Sequence, residues 1–97
     1  MPMPTPVAYL VLLDLKTAGA NYGPLSTQLQ ASAKWWHYMS TVWIVLRYDT
    51  LVELNNLLVP LIFTNDRMLI LPAKRPAGGW LPADAWQWIT QNVPSEW

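Results

Sequence analysis

The chain has 97 residues, with six Lys and Arg against six Asp and Glu and a formal net charge of zero. This length fits one domain, and the balanced charge excludes the general basic field that draws nucleic acid to a protein. The absence of cysteine excludes disulfides, thiol nucleophiles and zinc–thiolate sites.

Apolar and aromatic side chains are abundant for so small a chain. Seven residues are Trp, 53% of the chain is apolar and only 12% is charged, whereas about 25% is charged in a typical soluble domain. A monomer of this size cannot hide so much apolar surface, so the excess indicates an interface or a ligand groove. We therefore expect a homodimer.

The N-terminal part predicts an extended leader followed by a buried strand. Every second residue of the segment 1–6 is proline, which favours an extended backbone. The segment lacks the basic residue that precedes the apolar run of a signal peptide. The run Val7 to Leu13 has no polar alternation, which predicts a central strand covered on both faces. No segment is long and apolar enough to span a bilayer. We expect a cytoplasmic protein without a membrane partner.

The middle of the chain predicts a helix and then a hairpin. Gly23 and Pro24 begin the helix, in which Leu25, Leu29 and Ala33 form an apolar stripe. Residues 35–39 and 42–46 have the composition of strands and are separated by Ser40 and Thr41. The second strand, Val42 to Leu46, is apolar on both faces and must be covered on both.

The last third predicts a helix, a short strand and a final helix. Thr50 and Glu53 fit a capping box, and a stripe of leucines follows until Pro60 bends or ends the helix. The stripe consists of Leu51, Leu54, Leu58 and Leu61. Met68 to Leu71 is a strand stopped by Pro72. The final helix, over residues 80–93, places Trp86, Ile89 and Val93 on one face and points Trp88 away from it.

This order predicts a single α+β domain over residues 1–97 with the ferredoxin-like βαββαβ fold. Its four-stranded antiparallel sheet has the order 4-1-3-2, with two helices on one face and an extra Trp-rich helix at the C-terminus. The second face of the sheet must then be covered by that helix, by another copy of the chain, or by both.

Several motifs together resemble the small SinR-like proteins, which are similar in fold to the CRISPR-associated integration subunit and to VapD toxins. The motifs are Leu13-Asp14-Leu15, Trp35-Trp36-His37-Tyr38 before Trp43-Ile44-Val45, Asn65-Asp66-Arg67-Met68-Leu69, and Gly79-Trp80. The resemblance implies a ferredoxin-like homodimer in which Asp14 binds a metal for RNA cleavage.

The predicted sheet order gathers polar residues at the same corner. The end of the first strand lies beside the start of the fourth and the start of the third, so Asp14 should neighbour Asp66 and Arg67 on one side and Ser40 and Thr41 on the other. Two carboxylates there could hold Mg²⁺ or Mn²⁺, which take oxygen ligands. The structural alternative is a salt bridge of Asp14 with Arg67 or Lys16, and we favour it.

The lone histidine and the remaining tryptophans have structural interpretations as well. His37 alternates with Trp36 and Tyr38 along its strand, so a hydrogen-bonded structural histidine is favoured over a general base. Most tryptophans are expected in the core or the dimer interface. Trp80 and Trp88 are the two expected to contact a ligand or partner.

Two function classes follow from these residues. The favoured class is a non-catalytic binding module for a protein or nucleotide ligand, because the charge is neutral and no acid–base set accompanies Asp14. Nucleic acid is disfavoured as a ligand on the same ground of charge. The alternative, implied by the resemblance, is a metal-dependent endoribonuclease.

Overall fold

The computed structural model describes residues 5–95, so Thr5 and Pro6 are the only described residues of the predicted leader. The elements confirm the predicted order of strands and helices. They are β1 (Val7–Asp14), α1 (Gly23–Gln30), β2 (Lys34–Met39), β3 (Val42–Arg47), α2 (Leu51–Leu58) with a 3₁₀ turn (Val59–Leu61), β4 (Arg67–Pro72) and α3 (Ala83–Asn92).

The four strands form one antiparallel sheet in the order β2-β3-β1-β4. Read from the other edge, this is the predicted order 4-1-3-2, with β1 and β3 in the centre. In the register, Val11 lies opposite Trp43 on β3, and Asp14 lies opposite Arg67 on β4. The topology is compatible with a ferredoxin-like arrangement.

Helices α1 and α2 cover one face of the sheet, as predicted. Nine buried residues form this core: Tyr9, Val11, Leu13, Leu25, Leu29, Trp43, Val45, Leu54 and Leu58. The capping box that starts α2 is present in full. The Glu53 backbone N–H donates to the Thr50 hydroxyl (3.2 Å), and the Thr50 N–H donates to the Glu53 carboxylate (2.8 Å), which together satisfy two of the free donors of the first turn.

Helix α3 lies on the opposite face of the sheet in the same chain. Its Ala85 and Ile89, with Val93 just after the helix, pack with Trp36 and Ile44 in a second cluster. The spacing of four residues gives α3 one buried face. The Trp36 indole N–H also donates to the Ala85 carbonyl (3.3 Å). The cover is partial: the cluster includes Trp36 of β2, Ile44 and Val42 of β3 and Leu10 of β1, but no residue of β4.

The C-terminal helix differs from the prediction in its ends and its buried face. It spans Ala83–Asn92 rather than 80–93, because the backbones of Pro82 and Val93 are extended (ψ 155° and 124°). Ala85 takes the buried position expected of Trp86. Trp86 and Trp88 are both half-buried against the second cluster, so Trp88 does not point away from it.

Two expected core residues are exposed. Helix α1 ends at Gln30, so Ala33 follows the helix and does not extend its stripe. Leu51 is the first residue of α2 and is 40% exposed, because the buried face of that helix consists of Leu54 and Leu58. Within residues 5–95, none of the helices combines the length and the apolar character needed to cross a membrane.

Trp43 provides a direct test of the core. Its side chain is 4% exposed, whereas that of Trp80 is 98% exposed. We expect Trp43→Ala to lower the free energy of unfolding by about 3 to 5 kcal/mol, and Trp80→Ala to change it by less than about 0.5 kcal/mol. Urea unfolding followed by circular dichroism measures both. Equal effects of the two substitutions would show that Trp43 does not belong to the core.

Candidate functional site

The predicted polar corner forms where β1 ends and β4 begins. Asp14 and Arg67 lie opposite each other in the register of these strands. The Leu13 N–H donates to the Thr41 carbonyl (2.8 Å), which brings the hairpin turn to the same place. These residues line a shallow cleft of about 240 Å³, whose full lining is Leu12, Leu13, Asp14, Thr41, Arg67, Met68 and Leu69.

The cleft contains three of the predicted site residues, Asp14, Thr41 and Arg67. Ser40 lies next to Thr41 and is exposed, but it does not belong to the lining. Trp80 lies before α3 and Trp88 packs against the second cluster, so neither lies at this cleft. The walls are mostly apolar, and the polar groups lie at the strand ends.

Asp14 makes the structural contact that the sequence favoured. Its carboxylate lies 3.2 Å from the Lys16 ammonium group, and both side chains are more than half exposed. Of the two partners considered, Lys16 is the one present. The Arg67 guanidinium instead donates to the backbone carbonyl of Asp66 (3.1 Å). Because water screens exposed charges, such a pair contributes only about 0 to 1 kcal/mol.

Asp66, the second predicted metal ligand, is buried and holds two loops together. Its carboxylate accepts hydrogen bonds from the backbone N–H groups of Lys16 (2.8 Å) and Phe63 (2.9 Å). It also accepts from the hydroxyls of Tyr22 (2.9 Å) and Thr17 (3.2 Å). The loop after β1 is thereby tied to the loop before β4. Asp66 is therefore a fixed acceptor at the base of the corner.

The protonation of Asp66 follows from these contacts. Burial alone would raise the pKa of its carboxyl group, but the four donors stabilise the charged form more strongly and lower the pKa from 3.8 to about 2. The donors also direct positive partial charge at both carboxylate oxygens. A cation would have to displace them in order to bind there.

The corner in one chain therefore offers a divalent cation few ligands. Across residues 5–95, no three His, Cys, Asp or Glu side chains lie close enough together to hold a metal ion. Asp14 is paired with Lys16, and Asp66 is surrounded by hydrogen-bond donors. A metal centre built on Asp14 would need oxygen ligands from a second molecule or from a substrate phosphate.

His37 has the structural role that its strand position favoured. Its Nδ1 lies 3.1 Å from the Val42 carbonyl, which accepts the hydrogen bond when Nδ1 is protonated. The ring stacks on Trp43, with ring centres 3.8 Å apart and planes 12° apart. His37 belongs to β2, which is the opposite edge of the sheet from β4.

Sequence reasoning missed two features around the corner. The first is the set of donors on Asp66: Lys16, Thr17 and Tyr22 lie 44 to 50 positions away and give no local signal, and only Phe63 is near in sequence. The second is a cleft of about 350 Å³ between α2 and β4, lined by Leu51, Val52, Asn55, Met68, Leu69 and Ile70. The sequence did contain a sign of this cleft, because Val52 is an apolar residue outside the leucine stripe of α2 and so could not belong to the buried face of that helix.

The lowered pKa of Asp66 predicts a pH dependence of stability. Because the folded value of about 2 lies below the ordinary 3.8, the charged carboxylate stabilises the fold above about pH 5, and this contribution is lost as the pH falls towards 2. We expect Asp66→Asn to lower the melting temperature at pH 7, and the gap to wild type to narrow in acid. Asp14→Asn is the matched control and should have little effect. A gap independent of pH would contradict the assigned role.

Comparison with known proteins adds no assignment to this geometry. No protein-family model, curated protein or solved structure matches the chain. The resemblance to SinR-like proteins and the VapD group therefore stays a hypothesis.

Proposed function

We propose that the chain is a ferredoxin-like, homodimeric and non-catalytic interaction module that binds an apolar segment of a protein at the corner cleft. The observation that supports this function is the uneven cover of the sheet. Helix α3 packs on the second face over β2 and β3, and its cluster reaches β1 only at Leu10. On the β1 and β4 side, Leu69 remains 55% exposed, Leu71 remains 43% exposed, and Leu12 is half-buried. We call these three leucines the open half-face.

The open half-face has the character of a protein-binding surface. Contiguous exposed apolar side chains rimmed by polar residues are typical of such sites. Here the rim consists of Asp14, Thr41 and Arg67, and the cleft between the rim and Leu69 is lined mainly by apolar side chains. A peptide could place an apolar side chain in the cleft and direct its backbone groups to the rim.

The same surface is a poor match for nucleotides and nucleic acid. Binding phosphates requires several cationic groups or free backbone donors, and the cleft lining has one guanidinium group, that of Arg67, opposite the carboxylate of Asp14. The formal net charge of zero adds no attraction at a distance. A protein segment therefore fits the site better than a phosphate-bearing ligand.

The residues of the corner also favour binding over catalysis. General acid–base chemistry needs a group positioned to exchange a proton with the substrate. Asp14 is engaged by Lys16, Asp66 is held charged by four donors, and His37 stacks on Trp43 at the other side of the sheet. Each candidate thus has a structural partner.

A metal-dependent endoribonuclease is the second candidate function. The observation that favours it is the position of Asp14, whose exposed carboxylate lies at the end of β1 and lines the cleft. This is the role that the resemblance implies for the residue. In a homodimer the metal ligands would be completed by the second copy or by the RNA phosphate.

Replacing Asp14 distinguishes the two functions. Under the proposed function, Asp14→Asn changes stability by at most about 1 kcal/mol and leaves the protein inert towards RNA in the presence of Mg²⁺ or Mn²⁺. Calorimetric metal titration and a cleavage assay on single-stranded RNA measure this. Metal binding at micromolar strength, or RNA cleavage, by wild type but not by Asp14→Asn would establish the enzyme instead.

Two neighbouring residues of the hairpin turn test the binding site. From a library of random linear peptides, wild type should select sequences with apolar residues. Thr41→Arg places a long charged side chain in the cleft and should weaken binding by about tenfold or more, equivalent to about 1.4 kcal/mol. Ser40→Arg, with the same change one residue outside the lining, should leave the affinity within about twofold. Failure to select such peptides, or equal effects of the two variants, would contradict the site.

A further inference from the structure

The two edges of the sheet differ in how they are protected. The order β2-β3-β1-β4 leaves β2 and β4 with one unpaired side each. An edge strand exposes free N–H and C=O groups that can pair with another chain, and proteins usually block it with charged residues, proline or a bulge. The edge of β2 begins with Lys34, and its register is broken between Trp36 and Met39. Its Tyr38 hydroxyl is also bonded to Asp84 of α3 (2.9 Å).

The edge of β4 has few of these devices. It pairs with β1 over six consecutive residues without a register shift, from Arg67 to Pro72. No charged residue lies between Arg67 and Lys74. Arg67 begins the strand and Pro72 ends it, so both blocking residues lie at its ends. The central part of this edge is therefore regular, uncharged and open to pairing.

The outward-facing groups of β4 follow from one hydrogen bond. The Ala73 N–H donates to the Ala8 carbonyl (2.8 Å) on β1. Backbone groups alternate in direction along an antiparallel strand, so those of Leu71 and Leu69 also face β1. The N–H and C=O groups of Met68 and Ile70 face outward. Pro72 falls on an outward position too, where its lack of an N–H costs no bond to β1.

Apolar side chains flank this edge on both faces of the sheet. The open half-face, with Leu69 and Leu71, lies on one side. On the other side, the 350 Å³ cleft separates β4 from α2, and its lining has no charged residue. Val52 at this cleft is 67% exposed. A partner strand added to β4 would therefore meet apolar surface above and below it.

We propose that a second copy of the chain docks antiparallel on β4, so that two four-stranded sheets join into one of eight strands. This inference rests on the homodimer of the proposed function and names its interface. The interface uses the outward backbone groups of β4, whereas the apolar segment enters the corner cleft beside Asp14 and Thr41; Met68 and Leu69 border both. The two open half-faces then lie side by side on one face of the joined sheet, and the two α2 helices lie side by side on the other.

A second copy fits this edge because the edge is complementary to itself. In a two-fold antiparallel pair, the outward donors and acceptors of Met68 and Ile70 meet the same groups of the partner. With the two-fold axis at Leu69, Met68 of each copy pairs with Ile70 of the other. With the axis at Ile70, the two Ile70 residues pair with each other, and each Met68 N–H donates to the carbonyl of Pro72 in the other copy. Both registers satisfy all four outward N–H groups. A charge close to the two-fold axis would face the same charge of the partner, and residues 68–73 carry none. The zero net charge also removes repulsion between copies.

Lysine substitutions at the two edges test the interface. Leu69→Lys places a charge at the more exposed of the two leucines of β4, and Met39→Lys makes the matched change on β2, where Met39 is 49% exposed. Light scattering at tens of micromolar should show wild type and Met39→Lys as dimers and Leu69→Lys as a monomer. Circular dichroism confirms that the variants remain folded.

Single cysteines provide a second readout, because the chain has none of its own. Both two-fold registers place the residue-69 side chains of the two copies within about 10 Å. Spin labels on Leu69→Cys should therefore show strong dipolar coupling, and labels on Met39→Cys should show none at that range. Coupling at Met39 alone would move the interface to β2 and overturn the inference.

The outcomes separate this inference from the function on which it rests. A monomeric wild type would overturn both the homodimer and the β4 interface. A wild-type dimer that persists in Leu69→Lys and lacks coupling at residue 69 would overturn the β4 interface alone. A monomer whose β4 is covered only when a different protein is added would assign the edge to that protein and would also overturn the inference.

Discussion

The structure depends on the need to cover a sheet whose two central strands are apolar on both faces. β1 and β3 direct Tyr9, Val11 and Trp43 towards α1 and α2, and Ile44 towards α3. Each buried large side chain contributes about 1.5 to 3 kcal/mol through the removal of apolar surface from water. Two helices cover the first face, whereas a single ten-residue helix covers the second. On the second face, the apolar side chains of β1 and β4 that form the open half-face remain partly exposed in a single chain.

At the base of the polar corner, Asp66 joins two loops through hydrogen bonds. The carboxylate draws together backbone and hydroxyl donors from the loop after β1, from Tyr22 and from Phe63. Charge-assisted hydrogen bonds of this kind are roughly twice as strong as neutral ones. These hydrogen bonds hold together the end of β1 and the start of β4, where Asp14 and Arg67 flank the cleft. A binding site placed on such a fixed frame loses little conformational entropy when a ligand enters.

Much of the fold could be predicted from sequence because its signals are local. The unbroken apolar run of β3, the capping box of Thr50 and Glu53, and the break at Ser40 and Thr41 each specify an element from neighbouring residues. The βαββαβ pattern then gives the strand order, and the two strands without polar alternation, β1 and β3, are the two that it places in the centre. The ends of elements were less predictable. The final helix starts after Pro82 rather than at residue 80 because the backbone of that proline is extended.

The site was predictable in its location and not in its contacts. Asp14, Thr41 and Arg67 come together because the sheet order requires it. The surroundings of Asp66 depend on residues far away in the chain, so a carboxylate that looked like a metal ligand has four hydrogen-bond donors instead. Trp88 was expected to face outward because helical periodicity identifies the face at the centre of the contact. It does not show that large side chains beside that face can also pack against the second cluster, as Trp88 does.

Hydrogen exchange of individual backbone amides tests most directly the claim that a second copy completes the sheet at β4. The amides of Leu69 and Leu71 face β1, so they should be protected from exchange at every protein concentration. The amides of Met68 and Ile70 face outward, so they should become protected only at concentrations at which the dimer forms. The claim is contradicted if Met68 and Ile70 exchange freely in a sample that light scattering shows to be fully dimeric.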